Sequence, residues 1–349
     1  MSRVYVGIDI GSKQCAAVSI NSRGRMIDSE TFKTSARNLI GFVQRQRGEA
    51  AVLIEEGEMA GWVHGILKAH VASITVCDPK RNAWVAKGTD KNDGVDAAKL
   101  AELLRLGSFS AVWHPDGGEV AAFKVVVQHY DECSRRVARV KCQIKARLRR
   151  QGIITRGEAV YKGEGRREAL ERVESVPVRT VIEHEFALLD HLVSSKAEAL
   201  RRLIEASRVF PVIKRLKEVP GVGPVLAARF VAYVGDPNRF NKRTIASYSC
   251  LAIVKRSSDG SPIGRERLSR AGNTVLKDLS RKVFERARAA RGTNGIKEFY
   301  ESSLARTGSA TKARLNAQRK ILALMLAIWR DGTEYRDELV TGQRAFTCA

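Results

Sequence analysis

The spacing of apolar and polar positions changes once along the chain, and the change divides it in two. In the first hundred residues short apolar runs alternate with stretches of helical spacing. Arg3–Ile10 and Gln14–Ile20 are strand-length runs separated by Gly11-Ser12-Lys13, and Arg25–Phe32 extends them into a meander. Ala36–Gln46 has helical spacing, Ala51–Ile54 reads as a short buried strand, Met59–Ala69 as a helix, Ser73–Cys77 as a strand, and about Asn92 to Leu106 as a helix. A hairpin of strands followed by alternating strands and helices predicts a mixed α/β sheet. After Pro115 the pattern is almost wholly helical. Val120–Arg150 predicts one long amphipathic helix closed by Gly152, and Val178–Glu205 predicts a second. Residues 153–166 are polar and Gly-containing and read as a loop. A compact helical domain is expected from Lys214 to about Glu334, followed by a loose tail. The two long helices can pair as a coiled-coil-like arm, either between chains or as a hairpin within one.

Composition sharpens this division. The 349 residues carry a net charge of +23. Residues 1–117 hold 15 Lys/Arg and 13 Asp/Glu, whereas the remainder holds 46 and 25. A nearly neutral front and a strongly basic back fit a catalytic half joined to a half that holds a polyanion, with nucleic acid the leading partner. No apolar run is long enough for a membrane span, and MSRVYVGIDIGS lacks the regions of a secretory signal. The six cysteines are scattered without a CxxC pair, which argues against a zinc knuckle or a disulfide framework. The expected location is cytoplasmic and nucleoid-associated.

The neutral half holds the candidate chemistry. Asp9 ends the first strand in VGIDIGS, Glu55 follows the strand VLI, and Asp93 and Asp96 open a helix in KNDGVDAAKLAE. A three-residue spacing puts the last two on one helical face, at the end where negative charge is favoured. Four carboxylates at one point of a sheet repel one another unless cations neutralise them, and hard oxygen ligands suit Mg²⁺, with Mn²⁺ as the alternative. Taken singly, Asp93 can be a helix cap, and Glu56 competes with Glu55. GIDIGS also looks like the phosphate loop of actin-like ATPases and sugar kinases, but the second glycine-rich loop those enzymes need is missing.

In the basic half, Arg135, Arg139, Lys145 and Arg149 recur at helical spacing, and EVPGVGPVLAARFVAYVG sets Gly221 and Gly223 before a helix, as in a helix-hairpin-helix phosphate grip. Beyond it, a serine- and glycine-rich loop carries Arg265, Arg267 and Arg270, and Lys277 follows on a helix. These are candidate backbone contacts. Composition alone does not choose a nucleophile among Ser257, Ser258 and Ser261.

Together these segments resemble the DEDD-type insertion-sequence transposases, the bridge-RNA-guided recombinases related to the Piv pilin-gene invertase. VGIDIGSK, VLIEEGE, KNDGVDAAKLAELLR, LRRQGI, PGVGPVLAARFVAYVGDPNRF and GRERLSRAGNTVLK carry the resemblance, which covers nearly the whole chain. It departs from the family where EEGE replaces the usual Glu-Ala-Thr-Gly and where Asp259 stands in place of a glycine. The resemblance implies an α/β RuvC/ribonuclease H-like domain over 1–117, completed by the helix 118–152. A helical coiled-coil arm over 153–210, a small mainly α transposase domain over 211–335 and a tail over 336–349 would follow. It implies that Asp9, Glu55, Asp93 and Asp96 bind Mg²⁺. It also implies that a serine, placed on Ser258 by counting back from GRERLS, forms a covalent phosphoserine link to DNA. Implied partners are donor and target DNA, a structured guide RNA, and further copies in a homodimer or homotetramer whose protomers can share a site. A RuvC-like nuclease or junction resolvase using activated water is the alternative, and it needs only the carboxylates.

Overall fold

A computed structural model describes residues 3–79, 92–114, 118–255, 257–259, 261–262 and 264–342, and it divides the chain into two units, Met1–Gly118 and Glu119–Ala349. The domain boundary expected at residue 117 lies outside the described residues, as do residues 343–349 of the tail. The helix expected to complete the first domain groups with the second unit.

The first unit is a six-stranded mixed sheet. Strands β1 (Arg3–Ile10), β2 (Gln14–Ile20) and β3 (Met26–Lys33) form the meander. The others are β4 (Glu49–Glu55), β5 (Ser73–Cys77) and a short β6 (Ala111–Val112), in the spatial order β3-β2-β1-β4-β5-β6. β1 runs antiparallel to β2 and parallel to β4, with Ile8 beside Ile54. Helices α1 (Ala36–Gln44) and α2 (Ala60–Leu67) cover one face, where Val4, Val6, Ile8, Val52 and Ile54 meet Leu39, Phe42, Val63 and Leu67. Helix α3 (Asp93–Leu106) covers the other, where Ala97, Leu100, Ala101 and Leu103 meet Ala16, Val18 and Leu53. β6 is too short to be read from the pattern. Its partner β5 ends at Cys77, which faces Ala111 in the register.

The second unit is mostly helical. Helix α4 (Glu119–Arg150) and helix α6 (Val176–Ser207) are each 32 residues long and form an antiparallel pair within the chain. Near the tip, Val140, Ile144 and Leu148 pack with Ile182, Phe186 and Leu189. At the root, Phe123 and Val127 with Leu203 enter the core of the helical domain. The segment read as a loop before residue 166 instead holds a 3₁₀ turn at Ala159–Tyr161 and the start of helix α5 (Gly163–Glu171), capping the tip. The amphipathic signal of α5 is weak because it buries only Ala169. Helices α7 (Val212–Leu216), α8 (Pro224–Val234), α9 (Lys242–Tyr248), α10 (Thr274–Ala289), α11 (Gly295–Thr307), α12 (Ala310–Asp331) and α13 (Asp337–Thr341) build the domain behind it. α12 is its centre, with Ile321, Leu322, Met325 and Ile328 buried. The expected loose tail begins with α13, whose Val340 is buried in this core. No helix among the described residues is long and apolar enough to cross a membrane.

Candidate active site

Side chains on a strand alternate between faces, so the sheet sorts the carboxylates. The even-numbered residues Val4, Val6 and Ile8 of β1 point towards α1 and α2, while Tyr5 points towards α3. Asp9 therefore shares the α3 face. On β4, Ile54 packs on the α1–α2 side and Leu53 on the α3 side, which gives Glu55 to the face of Asp9. Glu56, just past the strand end, has a partner of its own. Its carboxylate Oε2 lies 2.6 Å from Nε2 of His114, whose ring stacks 6.0 Å from that of His64 on α2. Asp9, Glu55 and Glu56 line one cleft of about 300 Å³ together with Ser12 and Met59.

The other two carboxylates come from α3. Asn92 caps this helix by accepting from the Gly94 N–H, which leaves Asp93 and Asp96 in the first turn with neither serving as the cap. The helix sits on β1 at Gly7, where any Cβ would lie 2.0 Å from the Ala97 carbonyl oxygen. That contact, two residues from Asp9 and one from Asp96, sets the spacing of the cluster. Burial raises the pKa of Asp9 and the charges of Asp93 and Asp96 raise it further; burial, then Asp9 and Asp96, raises that of Glu55. The charges of Asp93 and Asp96 thus reach Asp9, and that of Asp96 reaches Glu55. Lys99, three residues after Asp96 and 3.0 Å from it, offsets part of the charge.

These donors match a hard divalent cation in kind and in excess negative charge. Among the described residues no three His, Cys, Asp or Glu side chains form a ready-made ligand set.

In the second unit, Ser258 ends the two-residue strand β8 (Ser257–Ser258), which pairs with β9 (Ser261–Pro262) across a two-residue turn. Asp259 in this turn has φ +51°, a left-handed conformation that glycine adopts without strain. Below it, β7 (Ile253–Val254) pairs with β10 (Arg267–Leu268), so the serine-rich loop is a β-hairpin. Ser257, Ser258 and Ser261 are all exposed on it, as are Arg265, Arg267 and Arg270 at its base. Lys277 is half-buried on α10.

Along α4, Arg135, Arg139 and Arg149 are exposed. Lys145 instead donates to the Gly157 carbonyl at 2.7 Å and lies over the Tyr161 ring, so it also holds the tip together. Gly221 has φ +85°, and a Cβ there would lie 2.4 Å from the Val283 carbonyl, so its first task is to let α10 approach the turn. Gly223 caps α8 without a side-chain bond, and Val222 donates back to Val219. Three pairings escaped the sequence reading: Glu56–His114, Asp96–Lys99 and the nearly buried ion pair Asp131–Arg229 between α4 and α8. Only the i,i+3 spacing of the second left a signal in the sequence.

Both units have counterparts among transposases, and that is the class to which the chain belongs. Residues 6–152 match the IS110 DEDD family model, described as a transposase, and residues 213–301 match the model described as transposase IS116/IS110/IS902 family. The chain is similar to the insertion element IS110 uncharacterized 43.6 kDa protein of Streptomyces coelicolor, at 24% identity over 97% of each chain. It is also similar to the insertion element IS116 uncharacterized 44.8 kDa protein of Streptomyces clavuligerus, at 22% identity over 94% of this chain and 95% of the relative. A putative transposase, y4qE, of Sinorhizobium fredii is 27% identical over 79% of this chain and 69% of its own. The first model spans the first unit and helix α4, the second lies within the helical domain, and together they make the chain a member of the IS110/IS116 transposase family.

Proposed function

We propose that this transposase cuts and rejoins DNA through a serine nucleophile, with a carboxylate-bound divalent cation assisting at the phosphate. The observation that carries the reading is the placement of Asp9 and Glu55 on one cleft at the strand ends, with Asp93 and Asp96 in the first turn of the helix that packs on β1 at Gly7. Asp9, Glu55, Asp93 and Asp96 would hold Mg²⁺, or Mn²⁺ in its place. Bound there, the ion would supply charge stabilisation to the reacting phosphate oxygens. Ser258 is the proposed nucleophile. Its Oγ forms a bond to phosphorus, one bridging P–O bond breaks, the hydroxyl proton leaves to solvent, and the displaced sugar oxygen leaves as a hydroxyl. The phosphodiester is exchanged for a phosphoserine diester, so rejoining needs no nucleotide cofactor. The position of Ser258 next to the hairpin turn supports this role, because its hydroxyl is exposed on a short, projecting element.

Arg135, Arg139, Arg149, Arg265, Arg267 and Arg270 are the proposed contacts to the nucleic-acid backbone, with Lys145, Lys277 and the Gly221–Gly223 turn beside them. A structured guide RNA that pairs with donor and target DNA, and assembly as a dimer or tetramer, enter the proposal through the family resemblance. The test is an SDS-resistant protein–DNA adduct formed with Mg²⁺ on DNA carrying the element's junction and flanks. The adduct is expected from the wild type and lost in both Ser258→Ala and Asp9→Asn. Metal-dependent cutting without an adduct, indifferent to Ser258, would replace this reading with a nuclease that uses activated water.

A further inference from the structure

The hairpin between β7 and β10 has little core of its own. Ile253 and Val254 are exposed, as are Ser257, Ser258 and Arg267. What fixes its direction is its root, where Ser249, Cys250 and Leu251 are buried. Among the described residues no strand pairs with the Leu251 carbonyl. Arg319, on α12, donates Nε and Nη2 to this oxygen at 2.9 and 2.7 Å, and Nη1 to the Asn316 side chain at 3.1 Å. Asn316 in turn donates to Ser303 of α11 at 3.0 Å. The root is also tightly folded. Cys250 has φ +55°, Gly272 has φ +139°, and a Cβ on Gly272 would lie 2.4 Å from the Tyr248 carbonyl. Ser269 N–H donates to the Ala252 carbonyl at 2.8 Å and closes the base.

We infer that Arg319 is a positioning residue for the serine hairpin, wiring its root to the central helix of the domain so that Ser258 is held in one direction. The inference rests on Ser258 being the nucleophile. A planar guanidinium can give two bonds to one carbonyl, which fixes the angle of the chain as well as its distance, and a lysine ammonium cannot reproduce that fork. Burial alone lowers the pKa of Arg319, so the cation is kept in a half-buried place by hydrogen bonds to neutral oxygens. Leu251, Ile321 and Leu322 belong to the core behind it, and a buried polar group is tolerated there only when hydrogen-bonded, as Arg319 is to the Leu251 carbonyl.

The test uses the full chain with Arg319→Ala and Arg319→Lys. Three quantities are followed: the adduct-forming rate at saturating DNA, the DNA dissociation constant, and amide hydrogen exchange across residues 252–269. Arg319→Ala is expected to lower the saturated rate by about 10²-fold, the scale of a 1 Å misplacement of a reacting group. Affinity is expected to stay near wild type, exchange in the hairpin to rise, and α12 to remain protected. Arg319→Lys should fall between the two, and it carries the test alone if Arg319→Ala fails to fold. Wild-type rate and wild-type hairpin exchange in Arg319→Lys would overturn the inference. Weakened DNA binding with an unchanged saturated rate would also overturn it, making Arg319 a backbone contact instead. An adduct that survives Ser258→Ala would remove the nucleophile assignment, while hydrogen exchange would still decide whether Arg319 holds the hairpin.

Discussion

Replacing Gly7 with alanine puts a methyl group into backbone. The new Cβ would lie 2.0 Å from the Ala97 carbonyl oxygen, 2.4 Å from the Ala101 nitrogen and 2.8 Å from the Leu100 Cβ. Contacts under 3.0 Å are not tolerated by real Cβ atoms, so α3 has to retreat by about 1 Å. Overpacking of this kind costs roughly 1–3 kcal/mol. The retreat also moves Asp93 and Asp96 away from Asp9 and Glu55, because the former pair rides on α3. A displacement of about 1 Å in a reacting constellation is worth on the order of 10²-fold in rate. Gly7→Ala is therefore expected to melt lower by several degrees, to bind Mn²⁺ more weakly and to cut DNA about 10²-fold more slowly at saturating metal. Gly41→Ala is the control. It lies within α1 with nothing inside 4 Å of its Cβ, so alanine there is expected to be neutral or to stabilise by up to about 1 kcal/mol. A Gly7→Ala protein that melts, binds Mn²⁺ and cuts like wild type would refute the idea that this contact sets the spacing of the carboxylates.

Further outcomes follow from other parts of the chain. Asp9→Asn should abolish metal-dependent cutting. In chelator it should raise the melting temperature or leave it unchanged, because it removes a half-buried charge that Asp93 and Asp96 repel; a marked fall would contradict the electrostatic account. Arg229→Met strands Asp131 in a nearly buried site and should cost about 3–5 kcal/mol in urea unfolding, whereas Arg229→Met combined with Asp131→Leu should recover most of it. Hydrogen bonds from Arg166 hold the Asp190 carboxyl below its ordinary value of 3.8. Its stabilisation is present above that value and is lost as pH falls through the lowered one, and Asp190→Asn should flatten this acid limb slightly, since Asp190 itself is largely exposed. Arg139→Ala should weaken binding to all DNA sequences alike and reduce the slope of log affinity against log salt by about one; a sequence-dependent loss would speak against a backbone contact.

The sequence made the sheet and its carboxylates legible because strand ends next to glycine turns leave few places for Asp9 or Glu55 to go. The choice between Glu55 and Glu56 was closed to it. Both line the cleft beside Asp9, and the partner that distinguishes Glu56, His114, is 58 residues away in the chain. Likewise Asn92 takes the cap that Asp93 was a candidate for, a decision between adjacent residues that both favour that position. The hairpin at Ser258 was present in the sequence as Asp259-Gly260 between serines, yet strands of two residues leave no period to detect. Helix α5 was hidden for a related reason: with one buried alanine and mixed charges, GEGRREALE has no stripe.

The long helices α4 and α6 pass without interruption from one core into another, Val127 and Leu203 at the root, Leu148 and Ile182 at the tip. This continuity limits how such a chain can change its length over generations. One residue added to α4 alone turns everything beyond it by about 100° and swings Ile144 and Leu148 away from Phe186. Additions that keep the stripe must come in steps of about seven, each lengthening the arm by roughly 10 Å, and α6 must gain the same number. Single insertions between Val127 and Leu148 should therefore be rare among surviving copies, and paired insertions in the two helices should be inherited together.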